Sequence, residues 1–155
     1  MSETLTGGCQ CGAVRFAVDV PLGRASICDC RMCQNANGGF FGAFVGGKNL
    51  RWTRGEPAHF QSSNKVARGF CAACGTPLTF EWNEKIVELA IGAFDDPASI
   101  APVIQMDYAS RMPWFADLDG LPSRSQSEAP WQAELVSYQH PDHDTEIWPP
   151  TDGGL

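Results

Sequence analysis

Seven cysteines, grouped in three tight clusters, constrain this chain more than any other feature of its sequence. The clusters are C-x-C at Cys9 and Cys11, C-x-C-x-x-C at Cys28, Cys30 and Cys33, and C-x-x-C at Cys71 and Cys74. A structural zinc is held by four protein ligands, whereas a catalytic zinc takes three and keeps one position for water or substrate. The cysteine count therefore predicts one closed zinc site and one open zinc site.

The redox setting expected for these thiols favours metal over disulfides. Residues 1–8 lack the basic start and apolar core of a signal peptide, so we expect a cytoplasmic protein with reduced cysteines. An odd number of cysteines would also leave one thiol unpaired in a disulfide framework. With 155 residues, the chain fits a single zinc-binding domain spanning 1–155.

Charge and hydropathy exclude two kinds of partner. The formal net charge is -7, and the 11 lysines and arginines never form a run of three, so a nucleic-acid partner is not expected. No uninterrupted apolar stretch reaches the ~18 residues of a membrane span. We therefore expect neither nucleic acid nor membrane as a partner.

The pattern of apolar residues is typical of short β-strands. Alternation over 13–20 predicts a half-buried strand, and further strands are predicted at 40–45, 50–53, 58–62, 65–70, 78–82, 86–91 and 133–138. Helical turns are predicted at 34–39 and, with a capping residue, at 95–100. Residues 140–155 look like a polar, proline-rich, solvated tail. The predicted class is mainly β, built from short antiparallel sheets.

The first and last cysteine clusters share the form of a zinc knuckle. Each ends in a glycine, Gly12 or Gly75, which permits the tight turn that brings two sulfurs to one metal. We assign Cys9, Cys11, Cys71 and Cys74 to one structural zinc. A set of buried or redox-active thiols is the alternative.

The middle cluster leaves two interpretations open. Either Cys28, Cys30 and Cys33 form an open site, or a histidine completes a second structural zinc; the candidates are His59, His140 and His143. A zinc on three thiolates polarises a carbonyl poorly, because the ligands already neutralise its charge. It would still bind an incoming thiol and hold it as thiolate.

Several segments together resemble a known family. They are GGCQCGAVRF at 7–16, the C-x-C-x-x-C cluster, RGFCAACGTPL at 68–78, Asp95-Asp96-Pro97, and the loop at 113–122. Over about 7–122, the chain resembles the glutathione-dependent formaldehyde-activating enzyme family, to which centromere protein V is related.

The resemblance implies a tent-like β fold and a specific reaction. It places a structural zinc on Cys9, Cys11, Cys71 and Cys74, and a second zinc on Cys28, Cys30 and Cys33, where glutathione docks. The family's namesake activity is a carbon-sulfur lyase reaction that joins the glutathione thiol to formaldehyde, giving S-hydroxymethylglutathione.

The substrate is where this chain departs from the family pattern. Arg31 precedes the third cysteine, Gln34-Asn35 follow it, and Gln105 stands where the family usually has histidine. The candidate contacts for the glutathione carboxylates are Arg31, Arg68 and Arg111. The alternatives are a different thiol or small molecule acting at the same zinc, or a non-catalytic zinc scaffold.

Overall fold

The computed structural model describes residues 3–83 and 85–149. Its strands are β1 Thr4–Gly8, β2 Arg15–Asp19, β3 Ser26–Cys28, β4 Gly42–Gly46, β5 Lys48–Arg54, β6 Ala58–Gln61, β7 Ala67–Phe70, β8 Pro77–Asn83, β9 Ile86–Ala90 and β10 Ile104–Met106. The α-helix is α1, Arg31–Asn37. Short 3-10 helices lie at Ile91–Ala93, Pro97–Ser99, Tyr108–Ser110, Phe115–Gly120, Gln126–Glu128 and Pro130–Glu134.

The strands form a small sheet and a large sheet. The small sheet has the order β1-β2-β5, and the large one has the order β10-β3-β4-β9-β8-β7-β6. All neighbouring strands are antiparallel except β10 and β3, which run parallel. The prediction of a mainly β fold is confirmed, and the large sheet is mixed.

The core lies where the two sheets meet. Phe16 and Val18 of β2 and Val45 and Leu89 of the large sheet belong to one cluster of buried side chains. The Phe16 ring packs edge-on against the Phe94 ring, with centroids 5.1 Å apart. Burial of side chains of this size contributes about 1.5–3 kcal/mol each, so this contact stabilises the packing of β2 against the segment that follows β9.

The predicted half-buried strand is buried on both faces. Arg15 and Ala17, which the alternation pattern places on the solvent side, are 3% and 6% exposed. The second face is covered because Arg15 pairs with Asp95 and with Asp144 of the C-terminal segment. Alternation alone could not reveal this cover.

Two local predictions differ from the structure. The strand predicted at 133–138 is wrong: the 3-10 helix Pro130–Glu134 is followed by irregular chain in which Leu135, Val136 and Tyr138 are exposed. Alternating apolar residues form a strand only when another strand pairs with them. The helical turn predicted at 95–100 is the 3-10 helix Pro97–Ser99. The side chain of its N-cap residue, Asp96, makes no capping hydrogen bond.

The topology places all seven cysteines in loops or at element ends. Cys9 and Cys11 lie between β1 and β2 of the small sheet, and Cys71 and Cys74 lie between β7 and β8 of the large sheet. The remaining three extend from the end of β3 into α1. None of the described helices has the length and apolar character needed to cross a membrane.

Candidate metal centres

Cys9, Cys11, Cys71 and Cys74 converge into what we call the four-cysteine centre. Their sulfurs all lie within 4.8 Å of one another. The Sγ of Cys11 is 3.6 Å from that of Cys9 and 3.8 Å from that of Cys71. A tetrahedron of Zn–S bonds of ~2.3 Å has edges of roughly 3.8 Å, so the donor set fits zinc.

Two matching backbone turns build this centre. Gly12 and Gly75 have φ values of 80° and 79°, in the left-handed region that favours glycine. The N–H of Cys9 donates to the Val14 carbonyl, and that of Cys71 donates to the Thr76 carbonyl, each over 2.9 Å. The glycines predicted from sequence to permit the knuckles therefore do so in the same way.

Two thiols of this centre, Cys11 and Cys74, have pKa values shifted in opposite directions. Burial raises the pKa of Cys11 to about 12. Burial would also raise the pKa of Cys74, but hydrogen bonds from the Thr76 hydroxyl and from nearby backbone N–H groups lower it to about 6. Buried thiols this close repel one another as thiolates, so a dication is needed for all four to ionise together.

Cys28, Cys30 and Cys33 form what we call the three-cysteine centre. Their sulfurs also lie within 4.8 Å of one another, and no other His, Cys, Asp or Glu among the described residues joins the group. Cys30 precedes α1 with extended backbone, and its sulfur accepts the Cys33 N–H over 3.4 Å. Cys33 is buried, whereas the other two are partly exposed. One side of the centre therefore faces solvent.

The histidines do not complete this centre. His59 pairs with Glu81 at 3.0 Å on the large sheet. His140 is buried rather than solvated, and its ring packs beside Gly12 at the four-cysteine centre. His143 is exposed, with its backbone N–H bonded to the Pro141 carbonyl. The expectation of a solvated tail is wrong for His140.

Arg68, one of the predicted carboxylate contacts, contacts the three-cysteine centre. Its Nη2 donates to the Sγ of Cys33 over 3.4 Å, and its Nε donates to the Ser62 hydroxyl over 3.1 Å. Burial raises the pKa of the Cys33 thiol, and the Arg68 guanidinium partly offsets that rise. The charge of Arg68 is therefore directed at a sulfur.

The other two predicted carboxylate contacts differ in exposure. Arg31 is exposed at the start of α1, and its Nη1 lies 3.3 Å from the Gln34 side-chain oxygen. Arg111 stacks on the Phe115 ring at 4.2 Å and lies near the Tyr108 ring at 5.4 Å. Contact of either arginine with a substrate stays a prediction.

Asp29, between the first two cysteines of the three-cysteine centre, was missed by sequence reasoning. It is fully buried, and its N–H donates to the Met106 carbonyl over 3.1 Å. The Gln34 amide donates to its carbonyl over 2.8 Å, and the Gln105 amide donates to its Oδ2 over 2.7 Å. Both glutamines that depart from the family pattern thus bind this residue. No local pattern identifies it, because β10 lies far along the chain.

The C-terminal segment was predicted to be a solvated tail, but at His140 and Trp148 it lies against the four-cysteine centre. The Trp148 indole N–H donates to the Cys11 carbonyl over 2.7 Å, and the His140 N–H donates to the Gln10 carbonyl over 2.8 Å. The segment also borders a cavity of about 370 Å³ lined in part by Cys9 and Cys74. The C-terminal segment therefore covers part of the four-cysteine centre.

Comparisons with known proteins agree with this architecture. Residues 4–110 match a family model described as "Glutathione-dependent formaldehyde-activating enzyme". A crystal structure of a Rhodobacter sphaeroides protein aligns with a TM-score of 0.53 and 21% identity, covering 66% of this chain and 100% of that one. At this identity, the structural likeness supports the fold alone.

Proposed function

Because the chain belongs to the glutathione-dependent formaldehyde-activating enzyme family, we propose that it is a zinc-dependent carbon-sulfur lyase that joins glutathione to formaldehyde and forms S-hydroxymethylglutathione. The four-cysteine centre would hold the structural zinc, and the three-cysteine centre would hold the second.

One observation carries this proposal. The three-cysteine centre has three sulfurs in ligating range of one another and lacks a fourth ligand among the described residues, while Cys28 and Cys30 are partly exposed. A site with three protein ligands and access to solvent is the pattern of catalytic zinc rather than structural zinc. A zinc ion there would supply an open position that favours the thiolate form of an incoming thiol.

The chain's own residues would keep the site rigid around the reactants. In the proposed reaction the thiol sulfur forms a bond to the formaldehyde carbon, the carbonyl π bond breaks, and the thiol proton ends on the new hydroxyl oxygen. Gln34 fixes the site, because its amide binds both the Asp29 and Ser110 carbonyls, over 2.8 and 3.1 Å. Holding two reactants in a fixed geometry supplies most of the advantage in such an addition.

A different thiol substrate is the second candidate, and the arginines favour it. Glutathione carries two carboxylates, but Arg68 points to Cys33 and Arg111 stacks on Phe115, which leaves Arg31 as the exposed one of the three. If glutathione is the substrate, Arg31→Ala should raise its KM and leave the KM of cysteamine, which lacks a carboxylate, unchanged. Equal kcat/KM values for glutathione and cysteamine in the wild type would mean that the carboxylates are not recognised, and would favour a smaller thiol as the substrate.

The first test is binding of glutathione to protein of measured zinc content. Calorimetry should show saturable binding to the wild type and to Met32→Ala, a control at an exposed neighbour of the cluster. Cys30→Ser should bind no glutathione, because a hydroxyl is a poor substitute for a thiolate on zinc.

Formaldehyde consumption is then measured against the spontaneous reaction of the same thiol. The wild type should exceed that background, and Cys30→Ser should not. Glutathione binding that survives in Cys30→Ser would refute the proposed site, and a wild-type rate equal to background would refute catalysis.

A further inference from the structure

Arg68 lies in the large sheet and contacts α1. It lies on β7, where its backbone pairs with Phe60 on β6 and Phe80 on β8. Its guanidinium carbon is 5.2 Å from the centroid of the Phe80 ring, and its terminal nitrogen reaches Cys33 on the helix. The sheet therefore sets the position of this charge relative to the three-cysteine centre.

The side chain is also held at both sides of its guanidinium. Nε donates to Ser62, and Nη2 donates to Cys33. Arg68 is 7% exposed. A buried, planar guanidinium with two fixed donors has little freedom to turn toward a ligand in solvent.

The charge on Arg68 has no carboxylate partner among the described residues, since none of their ion pairs includes it. A buried cation is costly unless an anion lies nearby. The nearest anionic group the site can offer is the set of three thiolates. A zinc ion bound to those three thiolates would give the centre a net charge of -1, and a bound substrate thiolate would add another negative charge.

We propose that Arg68 is a positioning residue of the three-cysteine centre, which offsets the thiolate charge through its hydrogen bond to Cys33 and so increases the affinity of that centre for zinc. This inference rests on the proposed zinc at that centre. The direct carboxylate contact that the sequence predicted for Arg68 stays a prediction, and this inference gives Arg68 a different role.

The central test is the zinc affinity of each centre, measured by chelator competition in the full-length protein. Arg68→Met should weaken the zinc of the three-cysteine centre by about 10- to 100-fold, the range for loss of a residue that binds a metal ligand. The other zinc should be unaffected. Arg68→Lys should restore part of the affinity, because it keeps the charge but cannot bridge Ser62 and Cys33.

Two further variants control for charge and folding. Arg51→Met removes an exposed arginine paired with Asp19 in the small sheet, and it should leave both zinc affinities unchanged. Ser62→Ala keeps the Arg68 charge but removes its second anchor, so it should weaken the same zinc by less than Arg68→Met. If Arg68→Met does not fold, Arg68→Lys and Ser62→Ala decide the question.

Cobalt substitution gives a readout that a merely structural role would not move. The thiolate-to-cobalt charge-transfer band of the three-cysteine centre should shift in Arg68→Met, because its hydrogen bond acts on a ligand sulfur. Zinc affinity in the Arg68 and Ser62 variants within twofold of the wild type would overturn the role of Arg68. A wild type that binds one zinc would instead overturn the proposed function, and this inference with it.

Discussion

The two cysteine centres should respond differently to loss of one thiol, and the difference tests whether the three-cysteine centre is catalytic. We compare Cys74→Ala with Cys30→Ser. Serine keeps a capping oxygen for the Cys33 N–H at the start of α1, so Cys30→Ser isolates the loss of the thiolate.

The expected magnitudes follow from the loops that each centre closes. Cys11 and Cys71 are 60 residues apart, and closing such a loop is worth about 3.6 kcal/mol by the chain-entropy relation. The loop from Cys28 to Cys33 is worth only about 1.4 kcal/mol by the same relation. Release of zinc from each variant opens these loops, and the difference in loop closure should make Cys74→Ala less stable than Cys30→Ser by about 2 kcal/mol.

Thermal unfolding measures this gap directly. For a chain of this length, about 2 kcal/mol corresponds to a Tm difference of roughly 4–8 °C. The energy of the lost zinc–thiolate bonds at the four-cysteine centre should widen the gap, because metal-binding energy there is folding energy. Equal losses of Tm in the two variants would refute the reasoning and would favour a non-catalytic zinc scaffold.

Three further changes test how the structure supports the centres. Asp95→Asn should lower the free energy of unfolding in urea by about 3 kcal/mol, because the buried Arg15 loses the carboxylate of its buried partner. Asp144→Asn removes the exposed partner of Arg15 and should lower it by less than about 1 kcal/mol. Burial would raise the pKa of Asp95, but its hydrogen bonds from Arg15 outweigh burial and lower it. The contribution of Asp95 to stability is therefore present above about pH 4 and is lost as the pH falls further. Asp95→Asn should not show this acid-dependent loss of stability. Trp148→Ala should increase the rate at which a chelator removes zinc from the four-cysteine centre several-fold, because it removes the hydrogen bond between the C-terminal segment and the Cys11 carbonyl. Gln34→Ala should cost about 1–3 kcal/mol in urea unfolding by leaving two carbonyls unpaired, whereas the exposed Asn35→Ala should be near neutral.

The cysteines that converge in each centre could be predicted from sequence because the spacing within each cluster is a local property. Each knuckle places its cysteines within a single turn, and the glycine after it indicates that turn. The hairpin strands β6 to β9 were predicted for a similar reason, since each one pairs with the next along the chain. Local pattern and local pairing agree there.

The parts that escaped prediction depend on distant partners. Strands β3 and β10 have three residues each, too few to show periodicity, and they pair across more than seventy residues of chain. The burial of Asp29 follows from that pairing. The docking of His140 and Trp148 likewise depends on contacts with a loop near the other end of the chain.

The two glutamines at family-variant positions connect these observations to the substrate. A neutral amide at Gln34 and at Gln105 donates to Asp29, so neither position adds positive charge beside the three-cysteine centre. The buried cation at that centre is Arg68, and it faces a sulfur. We therefore propose that recognition of an anionic thiol uses exposed groups at the start of α1, where Arg31 lies, whereas Arg68 acts on the affinity of the three-cysteine centre for zinc through Cys33.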